Sequence, residues 1–295
     1  MDTRVSQPAP GQRVTQLLSP EQALSRVPGF EERADVREIR WIAGGLTNRS
    51  YVIVTGSEQL VLRLDEEQTS AFGLDRHTEL QILRNAAEAS LAPQVRYAEP
   101  EAGILLYEYL PGRVWTRASL DDDDNLDRAA NLLRNVHALP ASGVVLDPRA
   151  AASRYAAVAS RNAELRADTA LWVDIVRAAP EPAAGCCCHN DVIASNIIGD
   201  TGDARLKLLD WEYACDNDPW FDVASLIAYH DLDCRQSARL VQAYTAGPAS
   251  EVQERLESQL RLYDAIQALW LAARYVIAPN SEHRARLAQL RRRIR

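Results

Sequence analysis

The residues best suited to chemistry fall in one stretch, Cys188-His189-Asn190-Asp191-Val192-Ile193-Ala194-Ser195-Asn196. Fourteen residues after Asn196 comes Asp210, in Leu208-Leu209-Asp210-Trp211-Glu212-Tyr213. Two carboxylates and an amide oxygen are hard donors of the kind a magnesium ion prefers, which makes Asn196 and Asp210 candidate metal ligands. Asp191, five residues ahead of Asn196, is placed to accept a proton from a hydroxyl. Transfer of a phosphoryl group asks little more of a protein than metal on the phosphates and a positioned nucleophile. Taken singly, each residue has a simpler account. His189 reads as a hydrogen-bonded core histidine, Asp191 and Asn196 as turn or cap residues, and Asp210 as the cap of an apolar strand. The order of the set, and what flanks it, gives it weight.

Two kinds of chain surround this stretch. Before it, extended runs at Glu38 to Ile42, Ser50 to Val54, Gln59 to Leu64, Gln94 to Ala98 and Ile104 to Tyr109 have the β-branched, apolar character of strands separated by turns. One helix, about Asp75 to Ala89, interrupts them, and a short one, Glu21 to Phe30, precedes them and ends at Pro28-Gly29. After Gly112 the pattern turns helical: Leu126 to Leu139, Ala151 to Leu165, Ala170 to Arg177, Val223 to Tyr229, Ser237 to Tyr244, Glu251 to Tyr275 and Glu282 to Arg293. A single β-like island, Cys186 to Asp210, lies among them. The expectation is an α+β, two-lobed architecture, with a small β-rich lobe over residues 1–109 and a larger helical lobe over 110–295. A cleft between them is the natural place for a ligand.

Bulk properties set limits. The chain has 295 residues, 47% hydrophobic and 25% charged, enough to bury a core in two lobes. Its formal net charge of -8 repels nucleic acid and anionic membranes and favours a cationic small molecule. No apolar run is long enough to span a bilayer, and the first sixteen residues lack the apolar core of a secretory signal, so cytoplasm is the default expectation. The five cysteines, three of them adjacent at Cys186, Cys187 and Cys188, suit neither a disulfide framework nor a zinc site and are expected to pack as small apolar residues. The acidic run Asp121 to Asp124 reads as a solvated loop and helix N-terminus. The sequence leaves oligomeric state open.

The pattern HNDxxxxN, then LLDWEYA, then DPWFDVASL resembles the choline kinase and aminoglycoside phosphotransferase superfamily, and within it the bacterial choline kinase-like branch. That resemblance implies a protein-kinase-like fold, ATP and Mg2+ as cofactors, and a small-molecule hydroxyl as acceptor. It makes Asp191 the catalytic base, Asn196 and Asp210 the metal ligands, His189 a loop-shaping residue and Asp222 a structural buttress. Gly44, Gly45, Leu46, Thr47 and Asn48 resemble the turn over the nucleotide phosphates, where glycine permits close backbone approach. Arg63 occupies the strand position where many kinases carry Lys, and Glu79 on the inserted helix is its expected partner. Leu106 to Gly112 resembles the inter-lobe linker, with the backbone of Glu108 to Leu110 meeting adenine.

The acceptor is less sharply indicated. A quaternary ammonium binds best against aromatic faces with a carboxylate nearby. Glu212, Tyr213, Asp231 and Trp270 are the candidate substrate residues, with Trp211, Trp220, Tyr229, Tyr263 and Tyr275 as further aromatics. Gln267 stands where relatives often carry a second tryptophan, and no Glu closes the Asp222 to His230 segment, which leaves ethanolamine, thiamine or another amino alcohol open beside choline. An aminoglycoside is the acceptor in other members of the superfamily. A nucleotide-binding scaffold without activity is the alternative of another class, opposed by the intact set Asp191, Asn196, Asp210, Arg63 and Glu79. A protein kinase is disfavoured because DWE replaces DFG at Asp210 and no APE-like segment follows.

Overall fold

The protein is described from a computed structural model, covering residues 17–30, 35–43, 48–66, 72–181, 185–199, 205–245 and 252–294. The N-terminal part is an antiparallel sheet of β1 (Val36–Ile42), β2 (Asn48–Thr55), β3 (Gln59–Asp65), β4 (Val95–Glu99) and β5 (Ile104–Glu108) in the order β1-β2-β3-β5-β4. Alternation along β3 decides what faces the cleft. Leu60, Leu62 and Leu64 point to the outer face, where Ala23, Leu24 and Val27 of α1 (Pro20–Leu24) and the turn after it cover them. Val61 and Arg63 therefore point the other way. The helix α2 (Arg76–Glu88), capped by Asp75, lies between β3 and β4 in sequence, and its Ile82, Leu83, Ala86 and Ala87 join the core of the larger lobe.

The larger lobe is helical: α3 (Asp123–His137), α4 (Pro148–Ala159), α5 (Arg166–Ala178), α6 (Pro219–Tyr229), α7 (Cys234–Thr245), α8 (Gln253–Ile277) and α9 (Ser281–Ile294). The helix α6 is central, buried from Trp220 to Ala228, so no polar face was available to give it amphipathic periodicity. Short strands carry the polar loops across this bundle: β6 (Arg113–Val114), β8 (Ile197–Gly199) and β9 (Lys207–Leu208) form one ribbon, and β7 (Cys186–Cys188) pairs with β10 (Cys215–Asn217) in another. The expected β-rich N-terminal part, inserted helix and helical remainder are the observed architecture.

Local differences have local causes. The first helix stops at Leu24, because Arg26 and Val27 donate to Ala23 and Leu24 in tight turns. The expected Ala151 to Leu165 helix begins earlier, at Pro148 behind the Asp147 cap, and breaks after Ala159, where the Asn162 side chain caps a separate turn at Ala163–Leu165. The strands β6 and β10 went unseen because two- and three-residue strands carry no readable period. The cysteines are all free thiols, and Cys187 and Cys188 are buried. Cys186, at the strand's outer end, has its thiol pulled down to about 7 by hydrogen bonding with Cys188. Among the described residues, no helix is long and apolar enough to cross a membrane.

Candidate active site

The loop between β7 and β8 is held from below by one carboxylate. Asp222, fully buried on α6, accepts the backbone N–H of His189 (2.9 Å) and of Asn190 (2.7 Å). Its Oδ2 also meets His137 Nε2 at 3.1 Å, and His137 Nδ1 meets the Tyr244 hydroxyl at 2.8 Å. The Cys188 thiol completes a cluster with His137 and Asp222 whose ligand atoms lie within 4.8 Å of one another. Both carboxylate oxygens and both ring nitrogens are already engaged, so this cluster is a hydrogen-bonded strut. From above, His189 Nε2 donates to the Leu209 carbonyl at 2.9 Å, which ties the loop to the segment carrying Asp210.

Asn190 takes a left-handed conformation, φ 64°, which Asn tolerates better than most residues. Its side chain donates to the Tyr213 carbonyl and accepts from Asn217, so the strained residue is pinned at both ends. Asp191 follows directly and is thereby presented to the cleft. The Asn196 amide donates to the Asp191 carbonyl (3.0 Å) and to its Oδ2 (3.1 Å), which leaves the Asn196 side-chain oxygen to face another partner. Asp210 is likewise left-handed, φ 60°, and opens along the cleft.

The opposite wall is a closed network of charge. Both nitrogens of the Arg63 fork meet the two carboxylate oxygens of Glu79, and the pair is buried. Arg63 also lies 3.9 Å from Asp210. Arg76, the first residue of α2, reaches Glu79 (2.8 Å), Asp65 (2.8 Å) and Glu212 (3.3 Å). Burial opposes charge on Glu79, yet Arg63 and Arg76 outweigh it and hold its carboxyl below the ordinary range. Ser50, Arg63, Tyr107, Asp210 and Trp211 are among the residues lining the space between these walls, ≈ 570 Å³ and partly open to solvent.

The acids on the floor behave in the reverse sense. Burial, then the charge of Glu212, pushes Asp191 up to about 7. Desolvation by the cleft walls and the charges of Glu212 and Asp191 raise Asp210 above the usual carboxylate range, Arg63 partly offsets them, and water at its 42% exposed side chain moderates the shift. Two acids raised in this way, with an amide oxygen beside them, make a donor set short of positive charge, and they fit a magnesium ion.

An aromatic cluster adjoins the catalytic loop where Asn190 donates to the Tyr213 carbonyl. Trp270 Nε1 donates to the Tyr213 hydroxyl at 2.8 Å, and the Phe72 ring lies 5.9 Å from both Trp270 and Tyr155. Burial raises the hydroxyl pKa of Tyr155, Tyr213, Tyr229 and Tyr263, and the negative charge of Asp191 adds to each shift.

Several expected placements differ. Asn48 is buried, with its amide donating to Glu212 (2.7 Å) and its oxygen accepting from Arg76 (2.8 Å), so its side chain bridges the two lobes at the edge of the cavity that Arg63 and Asp210 line. Glu212 is the other end of that bridge and faces Arg76 rather than lying free for a substrate cation. Asp231 is turned to α9, where Arg286, Gln289 and Arg293 take its carboxylate, and two arginines beside it exclude a cation. Gly44, Gly45, Leu46 and Thr47 lie outside the described residues. The Glu108 N–H donates to the Gln94 carbonyl (2.9 Å), while Leu110 makes no backbone hydrogen bond among the described residues. Arg76, Phe72, Tyr155 and Arg274 were missed. For Arg76 a signal existed, an arginine three residues before Glu79 on one helix face.

A profile of the phosphotransferase enzyme family matches residues 38–263. Thiamine kinase from Salmonella typhi is 31% identical over 228 residues, 74% of this chain and 75% of its own length. Among solved structures, choline kinase LicA from Streptococcus pneumoniae superposes with a TM-score of 0.72 at 21% identity, over 90% of this chain and 95% of its own. A choline/ethanolamine kinase family protein from Mesorhizobium loti gives 0.70 at 22% identity, over 93% and 92%. An aminoglycoside phosphotransferase, APH(2'')-Ib, gives 0.57 at 15% identity, over 90% and 94%. The fold is the one these kinases share, and the chain belongs to the phosphotransferase enzyme family, with a hydroxyl as its acceptor.

Proposed function

We propose that the protein is an ATP- and Mg2+-dependent kinase that phosphorylates the primary hydroxyl of a small organic cation, with thiamine, whose body is flat and aromatic, as the first candidate and choline-type amino alcohols as the second. The observation that carries this reading is the aromatic cluster of Trp270, Tyr213, Phe72 and Tyr155, tied to the catalytic loop where Asn190 donates to the Tyr213 carbonyl. Aromatic faces attract a delocalised cation and stack on a flat ring. The thiamine kinases support this order of candidates at 31% identity, whereas the choline kinase likenesses share the fold.

Bound Mg2+·ATP would supply the phosphoryl group and neutralise the charge that builds on it. Asn196 and Asp210 would hold the metal, and Arg63, fixed by Glu79, would aim its outer edge at the phosphates. Asp191 accepts a hydrogen bond from the acceptor hydroxyl and takes its proton as the new P–O bond forms. A base raised to about 7 is matched to that task near neutral pH. His189, Asn190 and Asp222 hold Asp191 in place and touch no reactant. The turn after β1 and the linker at Glu108 to Leu110 complete the nucleotide side of this reading.

ADP release from Mg2+·ATP, measured against thiamine, choline, ethanolamine and an aminoglycoside, tests the proposal. Thiamine should stimulate turnover most, and Asp191→Ala should lower kcat by at least about 1,000-fold while Mg2+·ATP affinity stays within a few fold. Near-normal turnover in that variant would remove Asp191 from the mechanism. Stimulation by choline alone would reverse the order of acceptors.

A further inference from the structure

The helix α8 presents Tyr263, Gln267, Trp270 and Arg274 along one face, at the four-three-four spacing of a helical stripe. The rise from the first to the last is about 16 Å. At the near end Tyr263 is 3% exposed, its hydroxyl has no hydrogen-bond partner, and it feels the charge of Asp191. At the far end Arg274 is 7% exposed and its Nε is also unpartnered. Its guanidinium forms no hydrogen bond or ion pair among the described residues. It lies 5.6 Å over the same Phe72 ring that touches Trp270, and it is close to Tyr213 and Glu212. Arg63 and Arg76, by contrast, are paired with carboxylates. A guanidinium whose Nε is buried unmet, and whose other nitrogens have no protein acceptor, has donors to offer a group brought from outside.

We propose that Arg274 is the distal anchor of the acceptor pocket, donating hydrogen bonds to an accepting heteroatom of the substrate at the end remote from the hydroxyl that Asp191 activates. This rests on the acceptor reading above and deepens it. A substrate spanning the stripe has a hydroxyl at the Tyr263 end, a ring against Trp270, and a ring nitrogen or carbonyl at Arg274. The aminopyrimidine ring of thiamine provides such nitrogens. Choline offers nothing for Arg274 to bind and would bring a second positive charge toward it.

The test compares thiamine with its N-methylated hydroxyethyl-thiazolium fragment, which keeps the reacting alcohol and lacks the pyrimidine. Wild-type protein, Arg274→Met and Arg274→Lys are assayed with both, and each is melted without ligand. In the Met variant, KM for thiamine should rise about 10- to 100-fold with kcat within about twofold, as for loss of a hydrogen bond shared by ground and transition states. KM for the fragment should not move, and the Lys variant should recover part of the loss. The ligand-free Tm of the Met variant should be equal to or above that of wild type, because an apolar side chain keeps the packing against Phe72 and removes a buried Nε that has no partner. Equal changes in KM for both alcohols, or a ligand-free Tm lowered by several degrees in both variants, would make Arg274 a packing residue and overturn the proposal. If wild-type protein binds Mg2+·ATP yet turns over neither alcohol, the thiamine reading falls. The ligand-free melting of Arg274→Met then decides alone, a rise supporting an external partner and a fall removing it.

Discussion

The two walls of the cleft treat buried charge in opposite ways. On the nucleotide side, Arg63, Glu79, Arg76, Asp65 and Glu212 form a network in which every ion has a counter-ion. Both walls keep a buried donor unmet, Arg63 Nε on this side and Arg274 Nε on the acceptor side, but Arg274 has no ion pair among the described residues and the Tyr263 hydroxyl beside it is unmet as well. A network closed in the ligand-free protein is preorganised, so binding there reuses existing geometry. A wall with open valences is completed only when something enters. Paired charge is therefore concentrated where the chemistry is common to a whole family of kinases, and the arginine without an ion pair where acceptors differ.

Breaking the closed wall should have the largest effect on stability. Glu79→Ala leaves Arg63 and Arg76 facing one another without a shared carboxylate, a loss of about 3–5 kcal/mol for a buried pair. The expected readout is a Tm lowered by roughly 10 °C. The double variant Arg63→Met/Glu79→Leu removes both charges and should recover most of that loss while failing to bind Mg2+·ATP. Normal nucleotide binding in the double variant would show the pair to be a strut with no contact to phosphate. The bridge between the lobes is a smaller device. Asn48→Ala takes one buried amide from between Arg76 and Glu212 and should cost about 1–3 kcal/mol. Because it spares Arg63 and Asp191, kcat should fall far less than KM for ATP rises. An equal fall in both would place Asn48 among the reacting groups.

How much of this was readable depends on whether the deciding contact is local. The His189 to Asn196 loop was legible because its residues lie within one short segment and its chemistry dictates their types. Asp222 was legible through its motif, although the two N–H groups it accepts lie more than 30 residues earlier in the chain. Asp231 misled, since its carboxylate is claimed by α9, and nothing in Ala228 to Asp231 announces Arg286 or Arg293. Glu212 and Asn48 misled for the same reason, being 164 residues apart and bonded to each other. Arg274 was invisible because its distinguishing property is a missing partner, and a sequence shows residue types, not absences. Trp270 could be found because its neighbours repeat a pattern.

The catalytic loop lies between the two walls, and pH can separate its support from theirs. His230, at the end of α6, accepts the Ala194 N–H through Nε2 at 2.8 Å, just ahead of Asn196. Burial, then the charges of Arg117 and Arg286, lowers its pKa to about 4, with Asp231 opposing them in part. The unfolded chain, with a histidine near the ordinary value of about 6.5, binds this proton first. Between those two values the unfolded state carries more protons, so His230 makes the protein lose stability as pH falls from about 6.5 toward 4, by at most about 3 kcal/mol. Asp191 has the opposite sign. Its folded value near 7 lies above the unfolded one, so without magnesium it gains stability over the same acidification. The two partly cancel in wild-type protein, and His230→Gln, which keeps an acceptor for Ala194, removes only the first. Urea titrations in magnesium-free buffer across that range should therefore show the variant losing less stability on acidification than wild type. Parallel curves would mean that the Ala194 contact does not depend on a neutral histidine, and that the loop's support comes from Asp222 below and His189 above without His230.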